Sequence, residues 1–267
     1  MKKFELLKRE NNGLCRIRAL KSFGDVIKGD IGGYIEKEEN LSHEGNCWVF
    51  DEAIVRNDAR VYEDAQILGK ARIANKAEVY GNATVYGDAT VVSKAKVYGN
   101  AKVSAYATIA GNAQVFGDAL VTGYSYIGDW AKIHGRALIY NHVTIYGEAE
   151  VYGVASLEGG VEVYGKAKVF GRARMSGASV ATGDAVIQSY LAKDAVITEP
   201  YIKAICINST ARPMTVYLDT EEVYKCNIGC QKEMTLEKLL KRIEEDGGMK
   251  GHRMKYVNAM KVAEYLL

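Results

Sequence analysis

The sequence predicts an all-β fold, a three-sided parallel β-helix of about 18 residues per coil, followed by a small C-terminal α+β module. Three observations carry this reading. From Val49 to Ile187 an aliphatic residue recurs every six residues without an insertion, and 22 of the 24 positions are Val, Ile or Leu. Two residues before each stands a small residue, usually Ala, as at Ala77, Ala83, Ala89, Ala95 and Ala101. Two residues after each stands Gly, in 14 of the 18 units from Gly81 to Gly183, which marks a corner at a fixed phase. A unit this short cannot bury its own apolar face, but a stack of such units can.

Within each hexad the aliphatic residue and the Ala two places earlier share one face of an extended strand and point inward. The Gly-Asn and Gly-Asp pairs that follow (Gly81-Asn82, Gly87-Asp88, Gly117-Asp118) tolerate positive φ and close a turn. Three sides of strand plus corner complete a coil, and successive coils pair as parallel strands at about 4.8 Å. Residues 1–34 do not follow the hexad. They are expected to form an N-terminal cap over the open end, where strand edges and apolar core would otherwise be exposed. In that cap CRIRAL (Cys15–Leu20) alternates like a strand, and KGDIGGY reads as a turn into the first coil. The solenoid is assigned to 35–200. Ile35 and Leu41 stand two residues out of phase with Val49, so an altered corner is expected there; the phase slips again after Ile187, to Leu191 and Ile197. In 201–267 KAICIN and MTVYLDTEEVYKCNI read as strands, and TLEKLLKRIEEDGG as an amphipathic helix ending at Gly247. A second helix is expected across Met254–Leu267. This last segment is read as a capping or interaction module.

The hexads resemble the repeats of the left-handed β-helix superfamily, best known for trimeric acyltransferases. Gly24–Phe50 (GDVIKGDIGGYIEKEENLSHEGNCWVF) is similar to the opening of the YdcK-like repeat proteins common in phages and prophages. Cys226–Ile243 (CNIGCQKEMTLEKLLKRI) is similar to their C-terminal module. The resemblance implies left-handed winding. It also implies packing of subunits through flat walls, and in the acyltransferase branch a histidine base near a subunit boundary with loops that hold the acyl donor.

Composition narrows the function classes. A net charge of +2 on 267 residues argues against a general nucleic-acid or membrane-surface binder, which would concentrate Lys and Arg. No apolar run approaches the ~20 residues of a membrane span, and the basic start MKKFELLKRENN lacks the apolar stretch of a signal peptide. Five scattered cysteines do not suggest a disulfide framework, so the bacterial cytoplasm is the expected compartment.

The outward positions carry the candidate sites. The residue after every third inward aliphatic lies on one wall: Tyr62, Tyr80, Tyr98, Phe116, His134, Tyr152 and Phe170. Such a stripe either stiffens a parallel sheet or forms a contact surface, for a homo-oligomer or a host protein. The other two walls are mixed or carry mostly small residues. Of the histidines His43, His134, His142 and His252, only His134 is a credible general base, although its place in the stripe favours a stacking role over catalysis; His142 falls on a corner too far from it to form a pair. Cys226 and Cys230, with His252, are weak metal candidates whose spacing departs from that of most zinc knuckles; no metal or cofactor is expected. Because the unbroken register sends no long loop outward to build a pocket, a non-catalytic phage- or prophage-type binding or scaffolding protein is expected, acting through the stripe or the C-terminal module and antagonising a host immune complex. The alternative is a hexapeptide-repeat acyltransferase with a CoA-type donor and His134 as base.

Overall fold

The computed structural model describes residues 2–187, 196–197, 203–207, 214–218, 223–228 and 231–245. It divides into two compact units, Met1–Gly147 and Glu148–Leu267.

In the first unit the hexads form three-sided coils as the repeat dictates. Strands of two residues pair in parallel with the strand 18 residues on: Thr84-Val85 lies between Gln66-Ile67 and Lys102-Val103. Likewise Thr90-Val91 lies between Arg72-Ile73 and Thr108-Ile109, and Lys96-Val97 between Glu78-Val79 and Gln114-Val115. The aliphatic residues and the alanines two places before them are fully buried, Val79, Val85, Ala83 and Ala89 among them. Burying each Val or Ile contributes ~1.5–3 kcal/mol, repeated in every hexad. Where Ser replaces Ala, at Ser125, the hydroxyl is satisfied by donating to the Thr122 carbonyl at 2.8 Å.

The corners turn through a residue at positive φ, for example Gly81 at 70°. The corners without Gly, at Asp51, Asn57, Glu63, Asn75, Ser93, Ala105, Asp129 and Asn141, hold the same conformation with φ from 51° to 69°. At Gly123 a side chain would in addition meet the next coil, since a Cβ there would lie 2.5 Å from Asn141 N and O.

The N-terminal segment is a small antiparallel sheet. Phe4–Leu6 pairs with Cys15–Ala19, which pairs with Ile31–Ile35, and Ile31–Ile35 then runs parallel to Ile54–Val55. This corrects the expected turn at KGDIGGY, whose last residues are strand. Gly32 and Gly33 are needed for close approach instead, since a Cβ on Gly32 would lie 2.6 Å from Val49 O and one on Gly33 2.6 Å from Ala53 O. The phase shift is where the sequence places it. Ile35 pairs with Val55 and Leu41 bridges Val61, so this coil spans 20 residues, while Val49 pairs with Ile67 at the regular 18. The two extra residues fall between Leu41 and Val49. There the fully buried Lys3 fills the loop, its Nζ donating to the carbonyls of Cys47 (2.8 Å) and Gly45 (3.2 Å) and lying 3.2 Å from Cys47 Sγ. Burial lowers the Lys3 amine and raises the Cys47 thiol from their ordinary values.

In the second unit the regular coils continue, with Glu150-Val151 paired to Lys168-Val169 and on to Val186-Ile187. After Ile187 the spacing shortens: Ala181 pairs with Ile197. Four strands, Lys203–Ile207, Met214–Leu218, Tyr224–Ile228 and Gln231–Thr235, form an antiparallel meander. A helix, Leu236–Glu245, follows with the Thr235 hydroxyl accepting from Lys238 N at 3.3 Å; Leu239 supplies its buried face. The expected second helix across Met254–Leu267 lies outside the described residues.

Candidate functional site

The stripe of rings is a consequence of register. Each member follows a buried aliphatic and so points outward, and the 18-residue coil sets each above the last. In the first unit Tyr62, Tyr80, Tyr98, Phe116 and His134 form one uninterrupted ladder with centroids 4.8, 4.9, 4.8 and 4.7 Å apart and planes within 8° of parallel. In the second, Tyr152 stacks on Phe170 at 4.9 Å. These side chains are half-buried, each covering its neighbours' faces. Burial raises the phenols of Tyr80, Tyr98 and Tyr152 above their ordinary value. At Tyr62, burial and then the Glu78 carboxylate push it up to about 12. The polar positions on the same wall pair along the axis: Lys96 Nζ meets Glu78 at 2.9 Å, and Tyr98 OH donates to Gln114 at 3.2 Å.

His134 closes this ladder in the first unit. Its imidazole lies on Phe116 with an 8° tilt, and the side chain is half-buried. Two exposed cations flank it in sequence, Lys132 and Arg136. A ring held in plane by stacking, next to positive charge, suits a base that works on an acceptor beside a phosphate-bearing donor.

A second stack lies on a corner and was missed by the sequence reading. Tyr106, Tyr124 and His142 stack at 4.8 and 5.1 Å, and the two tyrosines are 54% and 59% exposed, far more open than the ladder. The signal was available: these residues stand 18 apart, each directly after a positive-φ corner (Ala105, Gly123, Asn141). His142 therefore stands outside the ladder that holds His134.

Of the metal candidates, Cys226 is buried and unpaired by disulfide, and burial raises its thiol to about 12. Cys230 and His252 lie outside the described residues. Among the described residues no group of three or more His, Cys, Asp or Glu could hold a metal ion, and no helix is long and apolar enough to cross a membrane.

Contrary to the expectation that the wall offers no recess, a cleft of about 440 Å³ opens at the N-terminal end of the ladder, lined by Glu39, Ser42, Arg60, Val61, Tyr62 and Glu78.

Comparison with known proteins gives three findings. The model of the YdcK β-solenoid repeat matches residues 77–92. The uncharacterized acetyltransferase YdcK of Escherichia coli (strain K12) is 40% identical over 62 residues, 23% of this chain and 19% of that protein's length. A solved Bacillus cereus protein with a provisional acetyltransferase name is 14% identical, covering 75% of this chain and 97% of its own, at a TM-score of 0.27. That last likeness is too weak to bear on fold or function. These findings overturn the expectation of a non-catalytic phage-type scaffold antagonising a host complex. The matching relative is named an acetyltransferase.

Proposed function

We propose that this YdcK-like hexapeptide-repeat protein catalyses acyl transfer from a CoA-type thioester to an amine or hydroxyl, with His134 as general base. The observation that carries the reading is His134 itself: the imidazole is fixed flat against Phe116 at 4.7 Å, on a wall whose neighbouring Lys132 and Arg136 are exposed. The acetyltransferase name of the relative supports the same reading. In this mechanism the neutral imidazole takes the proton from the acceptor N–H or O–H as the acceptor attacks the thioester carbonyl. The tetrahedral intermediate then expels the CoA thiolate, which takes a proton from the imidazolium, and the acyl group stays on the acceptor. Lys132 and Arg136 hold the donor's phosphates as charge-assisted hydrogen-bond donors. A second copy packed on the ring-bearing wall would exclude water from this reaction, so the working form is a homo-oligomer, acting in the cytoplasm. Residues 1–34 and 201–267 serve as caps of the solenoid in 35–200, the latter also as an interaction module.

The test is release of free CoA thiol from acetyl-CoA across a panel of small amines and hydroxyl compounds. His134→Ala is expected to lose about 10²–10⁴-fold in turnover, the usual contribution of a positioned base, while His142→Ala stays near wild type. Equal turnover in His134→Ala and wild type would overturn the assignment.

A further inference from the structure

The ladder of rings has an unfinished end. Each rung is held by the same backbone bond to the coil above: Tyr62 N donates to Val79 O at 3.1 Å and Tyr80 N to Val97 O at 3.0 Å. Ser42 occupies the corresponding position one coil below Tyr62, its N donating to Val61 O at 2.9 Å. A ring at that position would have continued the stack. Ser42 is too small to do so, and its hydroxyl is turned into its own loop, where it accepts from Glu44 N at 3.0 Å. One face of Tyr62 is therefore covered by Tyr80 at 4.8 Å, while the opposite side borders the cleft of about 440 Å³.

The lining of that cleft has mixed polarity around the ring. Glu39 makes no ion pair among the described residues, whereas Glu78 is already held by Lys96 at 2.9 Å. Arg60 lies at the same opening. A ligand for this place needs a planar π-system to stack on Tyr62. It also needs N–H donors for a carboxylate on one edge and acceptors for a guanidinium on another. Sugars and aliphatic amines lack the plane; a simple aromatic acid lacks the donors. Guanine has all three: N1–H and N2–H₂ match a carboxylate, and O6 with N7 matches a guanidinium. Base stacking on an aromatic side chain is worth about 1–3 kcal/mol, and the volume lies within the ~300–1,000 Å³ of small-molecule sites.

We propose that the cleft beneath Tyr62 is a binding site for a guanine-type purine, which stacks on Tyr62 as the missing rung, donates to Glu39 and accepts from Arg60. The site is four rungs from His134 and does not depend on acyl transfer there.

The experiment is calorimetric titration of the full chain with guanosine and, separately, adenosine, whose edges present the opposite donor pattern. Saturable guanosine binding is expected, with adenosine at least tenfold weaker. Ser42→Phe, which places a ring in the empty rung, is expected to abolish binding while far-UV circular dichroism stays unchanged. Glu39→Gln, a substitution outside the ladder, is expected to weaken it about tenfold and keeps the test meaningful if Ser42→Phe misfolds. Absence of saturable guanosine binding at millimolar concentration, equal or tighter binding of adenosine, or undiminished binding by a folded Ser42→Phe or by Glu39→Gln would each overturn the proposal.

Discussion

Replacing Gly123 by Ala separates two reasons for corner glycines, conformation and close approach. Gly123 has φ of 76°, and Gly13, in the N-terminal hairpin loop, has φ of 81°. At Gly13 nothing lies within 4 Å of an added Cβ, so alanine there meets the conformational penalty alone. That penalty is about 1–2 kcal/mol, less ~0.4–1 kcal/mol regained by restricting the unfolded chain, for a net loss near 1 kcal/mol. At Gly123 the added Cβ would also lie 2.5 Å from Asn141 N and O. Those atoms are backbone, and the 2.6 Å bond from Tyr124 N to Asn141 O ties them to the same corner. Relief therefore requires coils to separate, and overpacking of this kind typically costs another ~1–3 kcal/mol. Gly123→Ala should thus lose about 2–4 kcal/mol in all. Urea unfolding followed by circular dichroism, on wild type and both variants, measures the difference directly. If Gly13→Ala and Gly123→Ala cost the same, inter-coil crowding does not explain the glycine pattern.

Other expectations follow from the same geometry. Tyr98→Ala removes two ring contacts, at 4.9 and 4.8 Å, and should lower stability by about 1–3 kcal/mol at ~0.5–1.5 kcal/mol per aromatic pair, readable as a shift in urea midpoint. Lys3→Met leaves the carbonyls of Gly45 and Cys47 without their buried donor and should lose roughly 1–3 kcal/mol; a neutral result in thermal unfolding would show that water replaces the amine. Tyr62 titrates at about 12 in the folded chain, whereas an unfolded tyrosine loses its proton near 10. The unfolded chain then binds fewer protons in that interval, so this group's contribution to stability falls as pH rises from about 10 toward about 12. Absorbance titration of wild type against Tyr62→Phe should show the missing phenol in the latest-titrating class, and a missing group near pH 10 would contradict the burial.

The inward half of the structure was legible because it is periodic. Val, Ile and Ala at fixed phase specify which side chains are buried whatever the neighbouring coil contains, and even the 20-residue first coil was visible as the displacement of Ile35 and Leu41. What escaped was non-periodic or depended on two coils at once. Gly32 and Gly33 read as a turn because the sequence does not show Val49 and Ala53 crossing them at van der Waals distance. Lys3 carries no mark of burial, since a lysine is buried only where carbonyls happen to converge, as those of Gly45 and Cys47 do. The ladder from Tyr62 to His134 was found by counting from the aliphatic positions, while Tyr106, Tyr124 and His142 occupy corners that this count skipped. The cleft escaped because Ser42 and Tyr62, which both line it, come together only when one coil is set against the next.

Nuclear magnetic resonance of the histidine side chains during titration with acetyl-CoA places the donor against the assigned base. Acyl transfer at His134 requires its resonances to move in a saturable way, with the exposed His142 little changed. Movement at His142 alone, or at neither ring, would contradict acyl transfer on the ring-bearing wall.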